Sequence, residues 1–153
     1  MKFYYINYPF KKKGNTKDGP DGAKEDKKME KFLPVLGRIF LAAIFIKSGI
    51  GKITSFSGTA AYMKMNGIPI AWLFLIGAIV FELVGALSML LGWKAKWGAW
   101  LLIIFLIPTT LIFHSKLSDP MQMIMFIKNL AILGGLFMVA YFGSGPYSLK
   151  KEN

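Results

Sequence analysis

A carboxylate stands inside the longest apolar stretch of the chain. Residues 69–92 read PIAWLFLIGAIVFELVGALSMLLG, 24 residues whose single charge is Glu82. A helix rises about 1.5 Å per residue and the hydrocarbon core of a bilayer is about 30 Å thick, so roughly 20 apolar residues cross it. The stretch is long enough to span, and it carries Glu82 at depth. An ionised carboxylate there is costly unless it faces other helices, water or a counter-charge. The cations able to serve lie on the other long apolar stretches. The chain therefore reads as a helix bundle built around Glu82.

Composition supports that class. Of 153 residues, 54% are hydrophobic, and they come in runs with no polar face, more than a soluble core of this size can hide. The expected fold is all-α, an integral membrane four-helix bundle whose obligatory partner is the lipid bilayer. A net charge of +11 raises nucleic-acid binding for a soluble protein. Here most lysines flank apolar runs, where positive charge orients membrane helices, so no nucleic-acid partner is expected. The absence of cysteine removes disulfides, thiol relays and thiolate metal sites.

Three regions follow in order. Residues 1–31 are basic and poor in apolar residues, and read as a disordered cytoplasmic tail. Residues 32–149 hold four spans, at about 32–50, 69–92, 97–114 and 121–142, with a loop over 53–68. Residues 150–153 form a C-terminal tail. Nine lysines precede residue 32, two lie in the turn 93–97 and two follow residue 149, against Lys52, Lys64 and Lys116 on the other side. That asymmetry places both termini of the multi-pass chain in the cytoplasm, with four crossings.

The polar groups at membrane depth are the site candidates: Arg38, Lys47, Lys52, Glu82, His114, Lys128 and Asn129. Depth counting makes Arg38 the natural partner of Glu82, with Lys47 as competitor. Arg38 and Lys52 lie near helix ends, where snorkelling is the plain alternative. Glu82, Lys47 and Lys128 are harder to dismiss, because ionisable residues inside a membrane mark functional sites by default. One carboxylate against several cations leaves a positive interior. An anion or quinone headgroup is therefore expected in the outer half, around Lys47, Lys128 and His114. Gly77, Gly85, Gly134 and Gly135 read as close helix contacts. Met63, Met65, Met121, Met123 and Met125 gather near His114, and flexible apolar filling is a commoner role for them than copper(I) binding, so no metal site is expected.

Arg38, the SGIGKI run at residues 48–53, the FELVGALSMLLG run with Glu82 and Gly85, and the closing GSGPYSL resemble the DoxX family. The resemblance covers about residues 33–149. It implies a four-helix membrane bundle, links to thiosulfate:quinone oxidoreduction and oxidative-stress complexes, and points to Arg38, Lys52, Glu82 and His114. A small subunit of a quinone-linked oxidoreductase is the function it implies, with quinone as cofactor or substrate. A non-enzymatic scaffold or carrier, binding a protein partner, a further copy or a lipophilic anion, is the alternative. The chain departs from the family at Lys150, where the closing motif often carries an acid.

Overall fold

The computed structural model describes residues 20–150 of the chain. Five helices follow one another: α1 (Pro20–Thr54), α2 (Phe56–Met65), α3 (Ala71–Leu91), α4 (Ala95–Phe113) and α5 (Pro120–Phe142). No strand occurs among the described residues. Four stretches are long and apolar enough to cross a membrane: Lys31–Thr54 within α1, Ala71–Leu91, Ala95–Phe113 and Pro120–Phe142. The expected four-span bundle is present.

Helix α3 packs between α1 and α4, α4 packs between α3 and α5, and α5 meets α1 to close the bundle. The core comprises Ala42 and Phe45 from α1, Ala86 and Met89 from α3, Leu102 and Leu106 from α4, and Leu133 and Leu136 from α5. Large apolar side chains also cover the outside, among them Phe40, Trp72, Phe74, Ile104, Ile127 and Phe137, all exposed. Water would not tolerate such a surface, whereas hydrocarbon suits it.

The helix ends have local causes. Gly92 stops α3 in the left-handed conformation at φ 65°, a common helix terminator because glycine has no Cβ to clash. The Ser88 hydroxyl donates to the Trp93 carbonyl at 2.6 Å and holds the tight α3–α4 turn. Asp119 caps α5 by accepting from the Met121 N–H at 2.8 Å, with Pro120 in the first helical position. Inside α4, Thr109 and Thr110 bond the carbonyls of Phe105 and Leu106. The carbonyl that Pro108 deprives of its N–H is that of Ile104, so neither threonine replaces the lost bond.

Two boundaries differ from expectation. Helix α1 begins at Pro20, inside the segment read as a disordered tail, and Pro34 falls in its interior rather than in a first turn. Residues 21–31, DGAKEDKKMEK, are mostly good helix formers that extend a helix already nucleated in the span. The disorder expected for residues 1–19 lies outside the described residues, as do residues 151–153 of the C-terminal tail. The region read as a loop over 53–68 contains α2, whose Phe56, Ala60 and Met63 pack against Ala71 and Leu75 of α3.

Four spans put residues 93–94 and 143–150 at one end and α2 with Ser115 at the other. The lysine asymmetry predicts that the end with residues 143–150 is cytoplasmic. With no native cysteine, Ser115→Cys and Lys150→Cys, both at exposed positions, report without background. An impermeant thiol reagent added to intact spheroplasts should label Ser115→Cys and spare Lys150→Cys, and the reverse pattern inverts the orientation.

Candidate functional site

Glu82 lies at the centre of the bundle and is 2% exposed. Its partner is Lys52, not Arg38 or Lys47. Lys52 Nζ is 2.9 Å from Glu82 Oε1, and the Ser48 hydroxyl donates to the same oxygen at 2.9 Å. Lys52 Nζ also lies 2.7 Å from Ser48 Oγ, one turn away on α1. The second carboxylate oxygen, Oε2, is buried without a hydrogen-bond partner.

Helix geometry explains the pairing. Arg38, Ala42, Phe45, Gly49 and Lys52 follow one another at spacings of four, three, four and three, which is one face of α1. Gly49 allows that face to approach α3, since a Cβ there would stand 2.8 Å from Leu83 Cδ2. Lys47 is off the stripe. It is exposed and lines a shallow outer groove with Ile39, Ala43, Ile46, Ile50 and Leu90. Arg38 is on the stripe but stands level with Gly92, ten residues or about 15 Å along α3 from Glu82.

Lys52 faces α4 as well, with Nζ 5.7 Å from the centre of the Phe105 ring, a cation–π distance. It opens on a cavity of about 180 Å³ lined also by Tyr62, Met63, Thr109, Phe113 and His114. His114 Nδ1 lies 2.7 Å from Gln122 Oε1. An amide oxygen accepts, so Nδ1 carries the proton and a neutral ring keeps Nε2 as an acceptor. Tyr62 stacks on Phe113 with centroids 5.5 Å apart and forms an aromatic wall.

A second cavity, of about 360 Å³, shares Met63, Ala78, Phe105, Thr109 and Phe113 with the first. It runs between α3 and α4 past Gly77 and Pro108, and its rim includes the exposed Leu73, Phe74, Ile104 and Ile112. The smaller cavity, a chamber that carries Lys52 and His114, thus adjoins an apolar groove that opens toward the lipid-facing surface. Its lining is almost wholly apolar, as expected of a site for a lipophilic ligand.

The other sequence candidates divide. Asn129 donates to Thr110 Oγ1 at 3.0 Å and ties α5 to α4, a structural task. Lys128 is exposed and lines neither cavity, so the cluster of Lys47, Lys128 and His114 is not formed; only His114 of the three faces the chamber. Thr109, Tyr62 and Phe105 were not singled out by sequence. Thr109 and Phe105 stand one turn apart on α4 (i, i+4), a spacing that could have found them. Among the described residues no group of three histidine, cysteine, aspartate or glutamate side chains stands together as a metal site.

Known proteins bear on this arrangement. The DoxX family profile matches residues 33–115. The Escherichia coli K12 inner membrane protein YqjF is 36% identical over 125 residues, covering 82% of this chain and 95% of that protein. The inner membrane protein YphA of the same organism is 34% identical over 125 residues, covering 78% of this chain and 89% of that protein. No solved structure matches the chain significantly. Together with the four apolar helices, these relatives make the chain a multi-pass inner-membrane protein.

Proposed function

Because the chain belongs to the DoxX family, we propose that it serves as a small membrane subunit of a quinone-linked oxidoreductase system of thiosulfate:quinone type, holding the quinone. One observation carries this reading: a chamber with a lysine and a histidine shares its walls with an apolar groove open to the lipid. A quinone has a matching shape, a ring with two carbonyl oxygens on a hydrocarbon tail. Lys52 would donate to one ring oxygen, and the Nε2 acceptor of His114 would suit the hydroxyl that the reduced, quinol form carries at the other. Tyr62 and Phe113 would form a wall on one side of the ring, and the tail would leave past Gly77 and Pro108. The groove alone lies at the lower end of the usual ~300–1,000 Å³ for ligand pockets.

Electrons would come from a partner subunit, since the chain has no cysteine and a single histidine with which to bind a redox centre of its own. The same cavity also suits a carrier that binds a lipophilic molecule without electron transfer, because the groove opens sideways to the bilayer. Binding and turnover separate the two readings. A short-tailed ubiquinone or menaquinone analogue should raise the Tm of the detergent-solubilised protein. Lys52→Met should weaken that binding about tenfold or more, the usual effect of losing a charge-assisted hydrogen bond. Lys128→Met should leave it unchanged. Equal stabilisation of wild type and Lys52→Met, or none of either, rejects the site. Quinone binding without reduction in membranes supplied with thiosulfate or sulfite favours the carrier.

A further inference from the structure

Once Lys52 has taken the buried carboxylate, the chain's single arginine is left without a counter-charge among the described residues. Arg38 is 2% exposed and seven residues from Lys31, the first residue of its span, which is about 10 Å of helix. Nη2 donates to the Tyr147 carbonyl at 3.2 Å, while Nε and Nη1 are buried without any hydrogen-bond partner. Among the described side chains the two carboxylates, Glu82 and Asp119, are engaged elsewhere, with Lys52 and with the α5 N-terminus. Lysine at such a depth can carry its charge toward water, but this guanidinium is enclosed and cannot. A buried cation lacking both charge and hydrogen-bond partners is a state that proteins seldom leave unanswered.

We propose that Arg38 is an anion-binding site, and that its ligand is a phosphate group at the end of the bundle that carries residues 143–150. The guanidinium lies against Gly92, where a Cβ would fall 2.2 Å from Nη1, so the glycine makes room for it. The outer cover is the closing segment, with Ser148 against the same glycine and Tyr147 in the left-handed region at φ 55°. Besides the Arg38–Tyr147 bond, its backbone bonds to the bundle among the described residues are Leu149 N–H to Leu91 O at 3.1 Å and a long Lys150 N–H to Gly92 O at 3.4 Å. A shift of residues 145–148 would uncover Nε and Nη1 and release Nη2 from the Tyr147 carbonyl, and Nη2 forms with either of them the planar fork that phosphate oxygens accept best. Lys94 and Lys150, both exposed at this end, would raise the local concentration of anions.

Two sources share this chemistry: the headgroup of an anionic lipid in the adjoining leaflet, and free phosphate from the aqueous side. Arg38, as the only arginine, supplies one assignable Nε–Hε NMR signal, so the wild-type chain suffices for the main test. The protein is labelled with ¹⁵N-arginine and stripped of lipid in maltoside micelles, which contain no phosphate. Phosphatidylglycerol is added in one arm and inorganic phosphate in the other. The signal should move and saturate near one phosphatidylglycerol per chain. Movement with inorganic phosphate alone keeps the site and assigns it to the free anion. A signal that moves with neither shows that trapped water completes the guanidinium, and overturns the proposal. So does a response that vanishes in Lys94→Gln/Lys150→Gln, which would trace it to surface charge. Native mass spectrometry adds a second reading. Arg38→Gln should retain about tenfold less lipid than wild type, as expected for a lost charge-assisted contact, and equal retention also overturns the site.

Discussion

Lys52→Met should destabilise the folded bundle by about 3–5 kcal/mol, the usual cost of removing one partner of a buried ion pair. The substitution keeps the length of the stem, so its packing changes little. It leaves Glu82, 2% exposed, with the Ser48 hydroxyl as its one remaining donor. Glu82→Gln should cost less. The lysine it strands is 22% exposed at the cavity and retains Ser48 and the Phe105 ring. The double variant should recover much of the loss, because a neutral pair needs no compensation. Arg38→Gln combined with Glu82→Gln should recover nothing, given the ~15 Å of helix between their levels. Denaturant titration of the four variants in mixed micelles measures all of this. Additive losses for Lys52→Met and Glu82→Gln would mean that the two charges do not stabilise each other.

Much of this architecture is legible in the sequence, because a helix that must hide every backbone polar group from lipid needs a long apolar run. Four such runs are plain, and the bundle follows from them. Helix α2 is harder to see. It spans 10 residues, includes Gly58 and Thr59, and shows its period only in Phe56, Ala60 and Met63. The partner of Glu82 was misread for a different reason. Depth counted along one helix fixes a residue only relative to where that helix enters the membrane, and α1 and α3 do not enter in step. Arg38 lies level with Gly92, so Ser48 and Lys52 reach Glu82. The error about Lys47 was avoidable. Ser48 and Lys52 are four apart and share a face, whereas Lys47 precedes Ser48 and points about 100° away from it. Cavities built from Tyr62 of α2 and Thr109 and Phe113 of α4 depend on packing, and no local pattern announces them.

Glycines show the same division, and they lead to the second large effect. Sequence reasoning groups Gly85 and Gly134 together as residues that let helices approach. Only Gly85 does so. A Cβ on Gly85 would stand 2.7 Å from Leu102 Cγ and 3.0 Å from the Gly98 carbonyl oxygen. A Cβ on Gly98 would stand 2.7 Å from the Gly85 carbonyl oxygen and 2.8 Å from Ser88 Cβ. The backbones of α3 and α4 thus touch at this pair, the arrangement small residues allow where lipid offers no hydrophobic drive for association. A carbonyl on a helix cannot step aside as a side-chain end can. Gly98→Ala should therefore separate the helices and cost about 1–3 kcal/mol, as overpacking generally does, and Gly98→Leu should prevent assembly. Gly134 has nothing within 4 Å of its Cβ position, so Gly134→Ala should stabilise α5 by about 0.5–1 kcal/mol through backbone entropy alone. The opposite signs are the informative result. Thermal unfolding of the two alanine variants in the same detergent reads them directly, and a Gly98→Ala protein at least as stable as wild type would show that α3 and α4 do not meet at these glycines.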